Sequence, residues 1–373
     1  MFGADAAGLE AHASIPDDVR IMRLAVSLAE RGAGWVAPNP KVGAVLVRDG
    51  VVVGEGWHQC YGEAHAEVHA LRAAGDLARG ATAYVSLEPC NHEGKTPPCT
   101  SALIAAGVAR VVCAVRDPNP KAAGGLEQLA AAGIAVSVGP EGEAVERQNA
   151  PFFHAVRQAA TPFVTLKLAT SIDGAIVDAS RRRAQLTGAQ SMAAVHAMRA
   201  EADAVAVGIG TVLADDPGLT VRLAPAPRIA PMRIVFDRGA RLPLESQLVR
   251  TAREIPVVVV TDGRHPQGEA ALAEHGVELL AGPELRTALQ QLRQRGIRHL
   301  MVEGGAVIAS ELLAAGLVHQ LVIFQAPVIL GAGAVSAFGA YPWRGAEMAP
   351  RLRVLERRVY GDDLMTRYAV SGD

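Results

Sequence analysis

The chain is poor in cysteine and in aromatic residues and has almost no net charge, and these shortages exclude whole classes of protein. Four cysteines (Cys60, Cys90, Cys99 and Cys113) among 373 residues are too few for a disulfide scaffold. Metal or simple burial must explain them. A formal net charge of -2 lacks the basic surface that displaces counterions from nucleic acid, so no nucleic-acid partner is expected. One local basic pocket for a single phosphate remains compatible with it. No stretch approaches the roughly 18 uninterrupted apolar residues of a membrane span. The opening segment MFGADAAGLEAHASIPDD carries acidic residues and no apolar h-region, so it reads as a loose tail. A cytoplasmic protein without a membrane partner is the expectation. No internal repeat is present.

What is present suits two domains. Half of the residues are hydrophobic and 20% are charged, enough for two cores of ordinary size. A helix begins near Asp17, with Ile21, Leu24, Ala25 and Leu28 on one face, and stops at Gly32. VGAVLV (42–47) and VVVGEG (51–56) are joined through Asp49-Gly50, a hairpin signal. HAEVHALRAAG reads as a helix from near His65, and ATAYVSLEP as a strand running into Cys90. TPPCTSALIAAG reads as a helix with prolines in its opening turn. RVVCAV, a helix near 124–132 and IAVSVG complete an α-β-β-α-β-α-β-α-β order. That order predicts a mixed sheet with helices on both faces.

Strand alternation stops between 140 and 161, where prolines bracket the segment, and the domains are placed at 1–149 and 150–373. Beyond the boundary come FVTLKLA, a helix near 188–200, ADAVAVG, RIVFD and IPVVVV. A helix near 284–295, HLMVEGG, a helix near 305–315, QLVIFQAPVIL and strands near 352–359 and 364–370 follow. This is a second α/β series. The stretches 208–222 and 222–231 read as loops, the first punctuated by glycine and the second by three prolines.

Three short elements carry chemistry: His65-Ala66-Glu67, Pro89-Cys90 and Pro97-Pro98-Cys99. Hydrolytic deamination of an aromatic ring needs a water made nucleophilic near neutral pH and a group that carries a proton to the departing amine. One imidazole and two thiolates hold zinc with a fourth position open, which lowers the pKa of a water there. A carboxylate two residues after the ligand histidine can lie beside that position without binding the metal. The metal set is therefore His65, Cys90 and Cys99, with Glu67 catalytic. Both cysteines are expected where a helix begins, which favours the thiolate. Singly, each cysteine reads as a small buried hydrophobe and His65 as a helix-surface residue; the ordered combination points to zinc. His69, on the same helix face, is the rival ligand, and the H-x-E pattern favours His65. Cys113 reads as strand core, and Cys60 has no assignment.

The deaminase signature H-x-E followed by P-C-x-x-C is met only in its first half. PCNHEGKTPPC spaces the cysteines as C-x8-C and puts a polar, glycine-containing insertion at the mouth of the site. Together with HAEVHAL and the upstream APNPKVGAV, it resembles the deaminase half of the bifunctional riboflavin-biosynthesis deaminase/reductase family. The resemblance, running from about residue 18 to 370, implies an α/β protein of two parts. These are a cytidine-deaminase-like α/β/α N-terminal domain and a dihydrofolate-reductase-like α/β C-terminal domain. It further implies contacts to the pyrimidine or its phosphate at Asn39, His58, His92 and Lys95. Their plain readings are a turn residue for Asn39 and solvated surface for the others.

Three blocks of the second half resemble the reductase of the same family. LKLATSIDG (166–174) is a strand and turn, with Lys167 on one face. GIGTVLADDPGLTVR (208–222) holds Asp215-Asp216 ahead of Pro217, and VEGGAVIASELLAAGLV (302–318) is a strand, a Gly-Gly turn and a helix. That last arrangement outlines a phosphate cradle at a helix N-terminus. No G-x-G-x-x-G follows the first strand, so the Rossmann fingerprint is missing. The resemblance implies NADPH contacts at Ala169, Thr211 and Asp215, and along Gly305, Ala306, Val307, Ile308, Ala309, Ser310 and Glu311. It implies substrate contacts at Lys167, Arg199, Leu219, Arg222 and Glu303, with Arg199 and Arg222 suited to a sugar phosphate. The chain departs from the family between Ser180 and Thr187. Arg181-Arg182-Arg183-Ala184-Gln185-Leu186 stands where most members carry a Gly/Ser-rich turn with a Trp. These arginines can equally read the 2′-phosphate of NADPH.

By resemblance, the chain deaminates 2,5-diamino-6-ribosylamino-4(3H)-pyrimidinone 5′-phosphate and then reduces the ribosyl chain to ribityl. Zn²⁺ and NADPH are the implied cofactors, a small molecule the substrate, and a homo-oligomer the expected assembly. The alternative is a zinc nucleobase deaminase with a non-reductase C-terminal domain, which the C-x8-C spacing and the acidic balance oppose. A binding module with structural zinc would close its site with four ligands. Glu67 beside a three-ligand site argues against it.

Overall fold

The chain divides into two units, residues 1–158 and 159–373. The computed structural model describes residues 16–157, 159–181, 185–342, 345, 347 and 349–370. The first unit opens with α1 (Pro16–Ala29), β1 (Gly43–Arg48), β2 (Val51–Trp57) and α2 (Ala66–Ala74). It continues through β3 (Thr82–Val85), α3 (Cys99–Ala106), β4 (Arg110–Cys113), α4 (Gly125–Ala131) and β5 (Ala135–Val138). Helices α5 (Gly142–Gln148) and α6 (Ala150–Val156) close it. The sheet order is β2-β1-β3-β4-β5. β1 pairs antiparallel with β2 and β3, while β3, β4 and β5 run parallel, so the sheet is mixed as the element order predicts.

Alternation along the strands decides which helix covers which face. Ala44, Leu46, Ala83, Val85 and Val111 pack with Ala66, Ala70 and Ala74 of α2, Leu103 of α3 and Leu129 of α4. Their neighbours Val45, Tyr84 and Val112 face the other way, onto Ile21, Met22, Ala25 and Leu28 of α1 and Val145 of α5. Two glycines set how closely α2 lies on the sheet. A Cβ at Gly54 would sit 2.3 Å from the Ala70 carbonyl oxygen, and one at Gly56 would sit 2.4 Å from that of Ala66. Any side chain there would lift the helix that carries Glu67.

Two local expectations shift. The strand through ATAYVSLEP ends at Val85, and 86–90 continue without strand structure. Pro98 is the N-cap of α3, so the prolines precede the helix. The unit boundary falls at 158/159 instead of 149/150, since α6 belongs to the first unit and buries Phe153.

The second unit begins with β6 (Phe163–Thr170), β7 (Ala175–Val177), α7 (Ala189–Glu201), β8 (Ala204–Gly208) and α8 (Ile209–Asp215). Then come β9 (Met232–Phe236), α9 (Gln247–Arg250), β10 (Val257–Thr261), α10 (Pro266–Glu274) and β11 (Glu278–Ala281). It finishes with α11 (Leu285–Gln294), β12 (His299–Glu303), α12 (Ala306–Ala314), β13 (Gln320–Gln325), β14 (Val335–Ser336), β15 (Leu352–Tyr360) and β16 (Asp363–Val370). Nine strands form one sheet, ordered β11-β10-β9-β8-β12-β6-β13-β16-β15, and β7 pairs with β14. β11 to β13 along this order are parallel, with antiparallel β16 and β15 at one edge.

Parallel strands covered on both faces need continuous apolar runs, and ADAVAVG and IPVVVV supply them. Ala206, Ile234 and Val258 face α11 and α12, while Val205, Val235 and Val259 face α8, α9 and α10. The sequence reading of 208–222 as loop throughout is corrected by α8, whose Ile209 and Val212 bury one helical turn apart. α10 and β11 also escaped it. Among the described residues, no helix is long and apolar enough to cross a membrane.

Candidate active sites

In the first unit, His65 is the residue before α2 and Glu67 lies in the opening turn of that helix. Cys99 is the first residue of α3. Cys90 is not at a helix start of its own, as the sequence reading had it, yet it meets one. The Cys99 N–H donates to Cys90 Sγ at 3.4 Å, and the Thr100 N–H donates to the Cys90 carbonyl at 3.3 Å. Cys90 Sγ therefore sits at the positive end of α3, which favours its thiolate, while the hydrogen bond to Cys90 and burial push the Cys99 thiol up. Glu88 anchors the same loop: its carboxylate accepts from the Asp117 N–H at 3.0 Å and from the Leu126 N–H of α4 at 3.1 Å.

His65 Nδ1 lies 3.5 Å from Cys90 Sγ and 3.3 Å from Cys99 Sγ. With metal–sulfur bonds of about 2.3 Å and metal–nitrogen bonds of about 2.0 Å, a tetrahedral zinc sets such donors roughly 3.6 Å apart. The donor set and its spacing fit zinc. His65, Cys90 and Cys99 are the group of possible metal ligands found among the described residues, and the rival His69 is not in it. Hydrogen bonds from the Cys99 thiol and then from His65 pull Cys90 down to about 4, against its burial. Glu67, 3% exposed, is pushed up to about 6 by burial.

A cavity of about 250 Å³ opens over this cluster, and Asn39, His58, Glu67, His92 and Lys95 line it. The four residues implied to touch substrate thus surround the candidate metal ligands. His58 is not solvated surface: it is 2% exposed and stacks edge-on against His65 at 5.1 Å. Burial pushes its imidazole down to about 4. Lys95 Nζ lies 4.1 Å over the Tyr61 ring, a cation–π contact at the pocket rim. The sequence reading missed Asp117 and Phe152, which also line the cavity. Burial pushes the Asp117 carboxyl up to about 6. No local pattern marks either residue, because loop and helix reach the pocket only through the fold. Cys113 is fully buried in β4, and Cys60 donates to its neighbour's carbonyl at 3.9 Å.

In the second unit, β12 lies between β8 and β6, so the carboxyl ends of three parallel strands come together. Ligands in open α/β sheets bind at such ends. Glu303 and Lys167 are register neighbours across β12 and β6. Arg199 of α7 donates through Nε and Nη2 to the two Glu303 oxygens and through Nη1 to the Thr220 carbonyl at 2.9 Å. Arg199 is 8% exposed, and its guanidinium is engaged by Glu303 and Thr220. Burial and then Arg199 push the Lys167 ammonium down, with Glu303 opposing. Arg222 is exposed and donates to Thr220 Oγ1 at 2.7 Å.

Leu219 is buried at a φ of 51°, and Asp216 has a φ of 40°, so this loop holds two non-glycine residues in the left-handed region. His196 was missed. It is 1% exposed, and its Nδ1 accepts from the Arg222 N–H at 2.9 Å. Its spacing three residues before Arg199 on α7 was the available clue.

Gly304 and Gly305 have φ of 66° and 79°, and a Cβ at Gly305 would meet Thr211 Oγ1 at 3.2 Å. The β12–α12 turn therefore packs against α8. This brings Thr211 beside Gly305, which opens the stretch Ala306, Val307, Ile308, Ala309, Ser310 and Glu311 of α12; Asp215 ends α8, and Ala169 lies on β6. A backbone bare of Cβ at a helix N-terminus fits a cofactor's pyrophosphate. Arg238 pairs with Glu311 at 3.2 Å. Arg182, Arg183 and Ala184 lie outside the described residues. Arg181 takes a left-handed φ of 54°, and Gln185 donates to the Thr187 carbonyl at 3.2 Å.

Two sequence families match. Residues 16–115 match the cytidine and deoxycytidylate deaminase zinc-binding region, and residues 162–366 the RibD C-terminal domain. The chain is 41% identical over 351 residues to the riboflavin biosynthesis protein RibD of Aquifex aeolicus, covering 93% of this chain and 97% of that one. To RibD of Escherichia coli it is 42% identical over 374 residues, covering 93% and 98%. Among solved structures, Acinetobacter baumannii RibD superposes with a TM-score of 0.80 at 38% identity, covering 95% and 99% of the two chains. The diaminohydroxyphosphoribosylaminopyrimidine deaminase/5-amino-6-(5-phosphoribosylamino)uracil reductase of Thermotoga maritima does so at 0.81 and 33% identity, covering 95% and 99%.

Proposed function

The chain belongs to the RibD family of bifunctional riboflavin-biosynthesis enzymes, a deaminase joined to a reductase, and from that premise we propose how its residues divide the work. The first unit holds zinc through His65, Cys90 and Cys99 and deaminates 2,5-diamino-6-ribosylamino-4(3H)-pyrimidinone 5′-phosphate. When bound, zinc supplies the Lewis acidity that makes a water nucleophilic at neutral pH. Glu67 takes that water's proton as oxygen bonds to the amine-bearing carbon, and returns it to the nitrogen as the C–N bond breaks and ammonia leaves. The observation that carries this reading is Glu67, buried in the cavity wall beside three soft donors at metal-binding distances. Lys95 and His92 at the cavity rim bind the phosphate, and Asn39 reads the pyrimidine.

The second unit binds NADPH along the Gly305–Glu311 turn, with Ala169, Thr211 and Asp215. When bound, NADPH supplies a hydride to C1′ of the opened ribosylamine. The sugar's ring oxygen takes up a proton as the C–O bond opens, which leaves a ribityl chain. Lys167 provides that proton, Glu303 and Arg199 hold its charge balance, and Leu219 and Arg222 border the substrate. The work is proposed to take place in the cytoplasm on a small-molecule substrate, by a homo-oligomer.

Incubating purified protein with the diaminopyrimidine phosphate tests the assignment. Without NADPH, ammonia and the 5-amino-uracil compound should form; with NADPH, the ribityl product. Ammonia release without NADPH oxidation, even on the deaminated compound, would reduce the chain to a deaminase.

A further inference from the structure

Asn149 separates α5 from α6 and is 4% exposed. A carboxamide that deep is costly unless both of its ends are hydrogen-bonded. Both ends go to a single residue. Asn149 Oδ1 accepts from the Lys41 N–H at 2.7 Å, and its Nδ2 donates to the Lys41 carbonyl at 3.0 Å. The side chain therefore does for Lys41 what a neighbouring strand would do, fixing the backbone by its own donor and acceptor.

Lys41 stands inside the wall of the deaminase cavity, between Asn39-Pro40 and Val42, all of which line it. His58 holds the same wall from the other side. Its Nδ1–H donates to the Ala64 carbonyl at 3.2 Å, so Nε2 is left to accept from Asn39 Nδ2 at 3.1 Å. With one Asn39 N–H given to His58, the carboxamide's orientation is fixed, and Oδ1, which can only accept, stands open to a ligand beside the second N–H. Phe152, three residues beyond Asn149, adds an apolar wall to the same cavity.

We propose that Asn149 is a positioning residue of the deaminase: it clamps Lys41 so that Asn39, oriented by His58, offers its carbonyl to an N–H of the pyrimidine. The proposal rests on the assignment of Asn39 to the pyrimidine and adds how that contact is held.

The test is a double-mutant cycle on the full-length, zinc-loaded enzyme, following deamination of the diaminopyrimidine phosphate. Asn149→Ala should raise KM roughly tenfold with kcat changed less than about threefold, the effect of one misplaced hydrogen bond. Zinc content and NADPH oxidation on the deaminated compound should not change. Added to Asn39→Ala, the same substitution should cause no further loss. If Asn149→Ala fails to fold or to hold zinc, Asn149→Asp carries the same cycle. Additive KM losses, or an unchanged KM in the single variant, overturn the clamp and leave Asn39 as a contact. An unchanged KM in Asn39→Ala overturns the contact itself, and the clamp with it.

Discussion

In the deaminase unit, two proposed metal ligands, His65 and Cys99, stand 34 positions apart in sequence, whereas in the reductase unit Arg199 and Glu303 meet across 104. The first site is soft and near-neutral: an imidazole, two thiols and one buried carboxyl gathered at the starts of α2 and α3. The second centres on one carboxylate held by a guanidinium, Glu303 with Arg199, beside Lys167, whose ammonium is pushed down by burial. A site assembled by helix starts depends on an ion to complete it. A site assembled by adjacent strands depends on the sheet and on its own ion pair. The two should therefore fail differently.

The sharpest difference should come from the cysteines. Cys90→Ser or Cys99→Ser should lose bound zinc and lower deamination by at least about three orders of magnitude. Reduction of the deaminated compound should continue at the wild-type rate. Elemental analysis beside the two assays checks this, and full zinc in both variants would break the comparison.

Smaller, and confined to the other unit, is the effect of the buried pair. Arg199→Met leaves the Glu303 carboxylate with Lys167 as a remaining cation. Glu303→Gln leaves two cations with no partner, so it should cost more, toward the upper end of about 3–5 kcal/mol. Urea unfolding followed by amide hydrogen exchange of β6, β8 and β12 should rank them in that order, with zinc content unchanged. The reverse order would mean that Lys167 does not share the charge.

The smallest effect is a pH dependence of the first unit. Burial acts to raise the Asp18 carboxyl, but hydrogen bonds from Arg110 and Tyr84 outweigh it and hold Asp18 below the usual carboxylate range. A lowered folded pKa gives stability that is present above the unfolded value of about 3.9 and is lost as pH falls through the folded one. Arg110→Met should flatten that acid-side loss or reverse its sign. An identical acid slope in the variant would rule out the Asp18–Arg110 pair as its source.

The same contrast explains what could be read from the sequence. The grouping of His65, Glu67, Cys90 and Cys99 is legible because H-x-E and the second P-C stand at helix starts within a short span. The Cys99 N–H that donates to Cys90 Sγ is not, since a C-x8-C spacing says nothing about how the intervening loop folds back. Asp117 and Phe152 reach the pocket from a loop and a helix far along the chain, and no periodicity announces that. In the second unit Lys167, Arg199 and Glu303 carry no shared motif; strand order brings them together. Helix α8 was hidden because Gly208, Gly210 and Asp215-Asp216-Pro217 look like turn chemistry, while the burial of Ile209 and Val212 is a tertiary fact. Arg199 donates to both Glu303 oxygens, a pairing that its sequence neighbourhood could not indicate.

The claim that one chain performs two ordered, separable reactions is tested most directly by Glu67→Gln in the full-length protein. An amide cannot carry the proton, so with zinc retained the variant should release ammonia roughly a hundredfold more slowly or worse. Supplied with the diaminopyrimidine phosphate it should oxidise almost no NADPH, and supplied with the deaminated compound it should oxidise NADPH as fast as the wild type. A Glu67→Gln protein that deaminates at the wild-type rate, or that loses NADPH oxidation on the deaminated compound, would contradict the account.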